Sequence, residues 1–247
     1  MSEGGLLLIA RSGDPLVPAL QRLVPGRLLH ADVQSLSQPG WQYVVGRPQD
    51  ARAQVRGVEH GADRIAAVLC RLHQVEPADL PQLHAEDRAY AAIEMTAFLR
   101  AWLSQFPGRC CNRPSAVSLA GPAWHPVHAR WLAAQQGVPV VAGPLAHDGR
   151  ALERLASATP MVVGEHVLGA SDDTMAAHAL RLARATGCGL LELRFVHDQG
   201  WKLLWMQSCS PMDDRQAAAL VEWTLGAAAS APAQGRTCDA AATGMAA

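Results

Sequence analysis

Four polar side chains stand where the chain leaves apolar runs. They are Arg71 after "RIAAVLC", Asn112 and Arg113 in "CCNRP", and His125 ahead of an apparent helix start. In an open α/β sheet, ligands bind outside the carboxyl ends of the strands. Two guanidinium groups placed there can grip a carboxylate or phosphate through paired hydrogen bonds, with Asn112 and His125 completing the site. The competing reading makes Arg71 and Arg113 surface arginines paired with acids such as Glu94. The sequence leaves both open.

The remaining reactive residue types form weaker patterns. His125 and His128 are spaced i, i+3, as two metal ligands on one helical face can be, but no third ligand lies near and Pro126 marks a helix start. Cys110 and Cys111 sit between Arg109 and Arg113, the setting that activates a thiol, yet strand alternation buries one of the two. No G-x-S-x-G elbow occurs, so a Ser-His-Asp hydrolase is disfavoured. "GPAWHPVHARW" has one glycine before its helix and is no phosphate loop. We therefore assign no catalytic residue and no metal.

The elements that position these groups read as α/β. Leu6–Ala10 is a short apolar run followed by "RSGDP", which suits a buried parallel strand and a turn. Asp14 and Pro15 then start a helix to about Val24. Residues 27–33, 41–46 and 64–72 read as further strands. From Leu83 to Phe106, the spacing of Ala91, Met95, Phe98, Leu99, Trp102 and Leu103 predicts one helix with a core-facing stripe. Residues 109–112 form a short strand, 124–136 a helix ended by Gly137, and 138–143 the next strand.

The second half opens with a helix over 150–158 and a hairpin turning at Gly164-Glu165. A helix follows, capped by Asp172 and closed by Gly187. "GLLELRFVHDQGWKLLWMQS" then alternates apolar and polar residues on both sides of "HDQG", a second hairpin. A last helix runs from Met212 to about Ala228. The Ala-rich stretch 230–247 has no apolar period and is expected to be a disordered tail.

These segments resemble a family. "DRIAAVLCRLHQVEPADLP", the long helix with Glu94, "RCCNRPSAV" and the helix leading into "GVPVV" are similar to the N-terminal part of ATP-grasp ligases. The branch they resemble modifies peptides: the graspetide synthetases and the ribosomal-protein glutamate ligases. "MVVGEHVLGA" and "LLELRF…GWKLLWMQSCSP" resemble that family's last lobe. The resemblance implies an α/β fold with three parts. Residues 1–143 form a pre-ATP-grasp, Rossmann-like parallel layer, and residues 144–229 a truncated C-terminal lobe with an antiparallel hairpin. Residues 230–247 are the tail.

Two departures bear on function. The family's central ATP-binding lobe lies between the "Val-Pro" strand and the "Val-Val-Gly" hairpin. Here Val140 to Val163 leave about two dozen residues, too few for several strands with their helices and connections. That lobe supplies a phosphate-binding lysine, and the sole lysine here, Lys202, lies beyond the hairpin turn. The family's Mg²⁺ ligands, matched by pattern, fall on Arg194, Trp205 and Gln207. Mg²⁺ demands oxygen ligands, and a guanidinium repels it. Glu192 is the one carboxylate within the hairpin strands, and a shift of one residue would bring it into a ligand position.

Composition narrows the classes further. The 247 residues are 49% hydrophobic and 17% charged, which suits a globular chain. The net charge of −1 gives no electrostatic case for nucleic acid or membrane. Absence of a signal segment and of CxxC spacing suggests a cytoplasmic, disulfide-free protein. The leading expectation is a non-catalytic ATP-grasp-like chain without cofactor, partnering an intact ligase or a second copy of itself. The alternative is a small-molecule enzyme rebuilt around Arg71, Asn112, Arg113 and His125. An exposed apolar patch beside the missing lobe would mark the first, and a concave site at those four residues the second.

Overall fold

The structure, a computed structural model, describes residues 4–106, 108–142 and 156–226. Strand β1 (Gly5–Ile9) is buried throughout because both of its faces are covered. Its odd positions, Leu7 and Ile9, join one apolar core, and its even positions, Leu6 and Leu8, join another. It pairs in parallel with β2 (Leu28–Ala31) and β5 (Ile65–Cys70), giving the order β2-β1-β5. Helix α1 (Leu16–Leu23) makes the first crossover, opened by the Asp14 side chain, which accepts the Leu16 N–H at 2.9 Å. A short helix α2 (Val33–Leu36) follows β2, its cap made by Asp32.

The strand expected over 41–46 is not formed. Only Gln42 bridges there, to Arg52. The pairing goes instead to a hairpin of β3 (Arg52–Val55) and β4 (Val58–Gly61), turned by Arg56 and Gly57 with φ of 50° and 82°. Positive φ at both central residues is the turn that matches strand twist. The sequence carried its signal: Ala51, Ala53 and Val55 alternate and are buried.

Helix α3 (Arg88–Leu103) packs Ala92, Leu99, Trp102 and Leu103 against the β1–β5 sheet. Residues 109–112, expected as a strand, contribute a single parallel bridge, Cys110 to Val68, beside β5. Helix α4 (Pro126–Gln135) ends two residues before Gly137, and only Val140 of the expected strand over 138–143 bridges, to Leu203. The expected helix over 150–158 lies mostly outside the described residues, as do the tail 230–247 and the boundary at 143/144.

The second sheet has the order β7-β6-β8-β9, antiparallel throughout. Its strands are β6 (Met161–Val163), β7 (His166–Leu168), β8 (Leu190–His197) and β9 (Trp201–Gln207). Helix α5 (Asp173–Thr186) has the expected limits: Asp172 accepts the Met175 N–H at 2.8 Å and Gly187 closes it with φ 66°. Its Met175, Ala179 and Leu182 are fully buried with Leu191, Leu193 and Phe195 of β8. Each such aliphatic side chain removed from water contributes about 1.5–3 kcal/mol. Helix α6 (Asp214–Val221) continues into a π-helical turn, Glu222–Gly226, where the sequence suggested one unbroken helix.

Candidate functional site

The β8–β9 register decides what the hairpin can hold. Glu192 pairs with Gln207 and Arg194 with Trp205. Strand alternation puts all four side chains on one face, opposite the Leu193 and Met206 that enter the core. Glu192 Oε1 accepts Arg194 Nε–H at 2.9 Å and Gln207 Nε2–H at 2.9 Å. The Glu192 and Arg194 side chains are only 11% and 10% exposed. The Arg194 guanidinium lies 5.3 Å from the centre of the Trp205 ring, a cation–π arrangement. The positions that the resemblance assigns to Mg²⁺ ligands thus gather around Glu192 in a polar knot, in which the buried Trp205 Nε1–H has no hydrogen-bond partner among the described residues. Its one carboxylate already has two hydrogen bonds and a cation beside it. This donor set does not fit Mg²⁺, and no step through a metal is derived from it. Lys202 is held by Asp198 at 2.7 Å across the hairpin turn.

Arg71 and Asn112 are brought together, but at a joint. Arg71 leaves β5 with its side chain 9% exposed. Its Nε donates to Asp14 Oδ2 at 2.6 Å and its Nη1 to the Ser210 carbonyl at 2.6 Å. The partner is therefore Asp14, not Glu94, and the arginine is not on the surface. Asn112 is buried. Its Nδ2 donates to the Leu190 and Ser208 carbonyls, both at 2.9 Å, and its Oδ1 accepts the Leu190 N–H at 3.0 Å. Gly189 N–H to the Cys111 carbonyl (3.1 Å) and Ser208 Oγ–H to the Pro122 carbonyl (2.8 Å) close the same seam. The seam joins the parallel sheet to the antiparallel one. Sequence reasoning gave Asp14 only a helix-starting role and did not single out Ser210; their bonds to Arg71 span 57 and 139 residues and leave no local signal.

Arg113 is exposed, apart from that seam. His125 is the N-cap of α4, its Nδ1 accepting the Val127 N–H at 3.3 Å. His128 lies against the Trp131 ring, with centroids 5.8 Å apart. Among the described residues no three His, Cys, Asp or Glu side chains converge on a common point. Burial pushes the thiols of Cys70 and Cys110 up to about 12 and that of Cys111 higher still. A flanking arginine does not offset that cost, so neither of the paired cysteines is a nucleophile near neutral pH.

No protein-family model matches the sequence, and no curated protein does. Solved structures do. The chain is similar to the ATP-grasp ligase PsnB complexed with a phosphomimetic variant of its minimal precursor, Mg and ADP. That match is 13% identical, covers 93% of this chain and 100% of PsnB, and has a TM-score of 0.68. A RiPP-associated ATP-grasp ligase of Chryseobacterium gregarium, in complex with ADP and a leader and core peptide, is 10% identical. It covers 93% of this chain and 98% of that one, with TM-score 0.63. The macrocyclase MdnC from Microcystis aeruginosa MRC, bound with precursor peptide MdnA, is also 10% identical. It covers 90% of this chain and 99% of its own, with TM-score 0.62. The fold is that of the ATP-grasp ligases that act in peptide modification. Among the described residues, no helix is long and apolar enough to cross a membrane.

Proposed function

We propose that this chain is a non-catalytic ATP-grasp-like protein that serves as a binding or assembly partner, either of an intact ATP-grasp ligase or of a second copy of itself. The observation that carries this reading is the Glu192–Arg194–Gln207–Trp205 knot. Both bonds converge on Glu192 Oε1, so Mg²⁺ could take that oxygen only by displacing a guanidinium from a nearly buried ion pair. The short connection between Val140 and Val163 supports the same conclusion, because it leaves little chain to wall a nucleotide. So does the exposure of Val127 and Trp131, 57% and 59%, on α4, the helix that precedes that connection in sequence. Similar folds were solved with precursor peptides bound, which makes a peptide or protein the natural class of partner.

The reading of a rebuilt small-molecule site draws less support. The Arg71 and Asn112 side chains bond to the protein's own seam, and His125 caps a helix. Isothermal titration of the folded protein with ATP and Mg²⁺ tests the proposal. We expect no saturable heat. Micromolar binding, about −8 kcal/mol, would overturn it and return the enzyme reading to first place.

A further inference from the structure

The parallel sheet has one closed edge and one open edge. Beyond β5 the chain at 109–111 closes it. There the Val68 N–H donates to the Arg109 carbonyl and the Cys111 N–H to the Val68 carbonyl, both at 2.9 Å. The outer strand on the other side is β2, which pairs with β1 alone. The Arg27 and Ala31 carbonyls accept the Leu6 and Ala10 N–H groups, so these residues turn their carbonyls to β1. In a strand the residues between them turn their backbone groups the other way. Leu28 and His30 therefore aim two N–H groups and two carbonyls off the edge. Among the described residues nothing bonds to them there.

The open edge lies in a groove. Two adjoining clefts, of about 410 and 780 Å³, share His30 of β2, Gln21 of α1 and Arg56 of the β3–β4 turn. The first reaches back to Leu28 and Gly26, the second forward to Asp32, Gln34 and Gln38. Together they follow β2 from end to end. Gln21, Gln34 and Gln38 are exposed amides, each able to donate to and accept from a peptide backbone. Arg56 is exposed too, and among the described residues no carboxylate pairs with it. The His30 imidazole is turned to the end of β1, its Nε2 3.2 Å from the Ala10 carbonyl. The strand itself, "LLHA", has none of the charges or prolines that commonly blunt an outer strand.

We propose that this edge takes up an extended, acidic segment of a partner protein as an added strand, with a carboxylate of that segment on Arg56. An extended backbone is the occupant because it alone presents N–H and C=O groups at the spacing of those on Leu28 and His30. The amides of Gln21, Gln34 and Gln38 flank it, and the unpaired guanidinium selects for negative charge. The inference deepens the binding-partner reading above and rests on it. Heat on titration with ATP and Mg²⁺ would remove that reading, whereas the strand pairing is read from individual amides, so the two failures are distinguishable.

The test is amide hydrogen exchange by NMR on the full chain, alone and with peptides selected on it from a random heptapeptide phage library. In the free protein the Leu29 and Ala31 amides should exchange slowly and those of Leu28 and His30 fast. Selected peptides should carry Asp or Glu and slow exchange at Leu28 and His30 by at least about tenfold. Methylating alternate backbone nitrogens of a peptide should abolish binding in one phase of the alternation and spare it in the other. Arg56→Glu, at an exposed turn position, should weaken binding by about tenfold. Leu28→Pro, which deletes one edge N–H at the first position of the strand, should do the same. Circular dichroism melts will verify folding, and if Leu28→Pro fails to fold, the methylated peptides test the same bond. Slow exchange at Leu28 and His30 in the free monomer overturns the proposal. So does a library that yields no peptide whose binding Arg56→Glu weakens, or peptides that protect amides elsewhere. Protection of Leu28 and His30 that grows with protein concentration alone overturns it in favour of pairing between copies.

Discussion

Replacing Arg194 with Met isolates the polar knot. The substitution keeps the volume along β8 but leaves Glu192 with Gln207 as its one remaining partner of the two that bond its Oε1. Glu192 is 11% exposed, so its charge cannot be rehydrated without opening the hairpin. Removing one member of a buried ion pair costs about 3–5 kcal/mol, most of it from the charge left behind. The lost cation–π contact with Trp205 adds about 0.5–1 kcal/mol. For a chain of this size such a loss lowers the melting temperature by roughly 7–24 °C. The assay is urea unfolding of wild type, Arg194→Met, Glu192→Gln and the double variant. The double variant should be more stable than Arg194→Met alone, because the uncompensated charge is gone. A single-variant cost below about 0.5 kcal/mol, typical of an exposed pair, would refute the reasoning.

The seam and the thiols give further tests. Asn112→Ala removes three hydrogen bonds and leaves the buried Leu190 N–H without its acceptor, a loss of about 3 kcal/mol read as a lower urea midpoint at unchanged slope. Gly189→Ala would drive a Cβ into the Trp223 ring and to 2.6 Å from the Cys111 carbonyl. It should cost at least about 2 kcal/mol, and Trp223→Leu in the same chain should recover part of it. Cys70 and Cys110 should resist a thiol reagent at pH 8 in the native protein and react on denaturation, as mass mapping will show. Their folded pKa values are raised to about 12 against about 8.5 unfolded. The unfolded chain therefore loses those protons first, and the thiols' contribution, complete below about pH 8, should fall away toward pH 12.

Much of the fold was written in local patterns. The Asp172 cap, Gly187 and the period of α5 are each contained within a few residues, and so are the alternation and turn of β8–β9. What was not legible depends on chain that is distant in sequence. "WQYVVG" has strand residues but only one bridge, because β3 takes β4 as its partner. The substitutions at Arg194, Trp205 and Gln207 were visible as departures from a resemblance. Only the register showed that Arg194 and Gln207 both turn to Glu192 and form the knot. Arg71 was singled out as a ligand group. Its commitment to Asp14 and Ser210 follows from how two sheets meet, which no window of sequence encodes.

The second core has a consequence for how the chain is made. It packs Leu6, Leu8, Leu16 and Leu20 with Ala217, Leu220 and Leu225, and α1 rests on α6. Trp223 sits over both Gly164 and Gly189, where even a methyl group would collide with its ring. One face of β1 is therefore covered by a helix that lies about 200 residues later in the chain. At roughly 5–20 residues per second, that face stays bare for about 10–40 s on the ribosome, while α3 can cover the opposite face much earlier. Contacts this far apart in sequence also slow the final closure. Until α6 emerges, the nascent chain presents a leucine-lined sheet face to whatever chaperone is at hand.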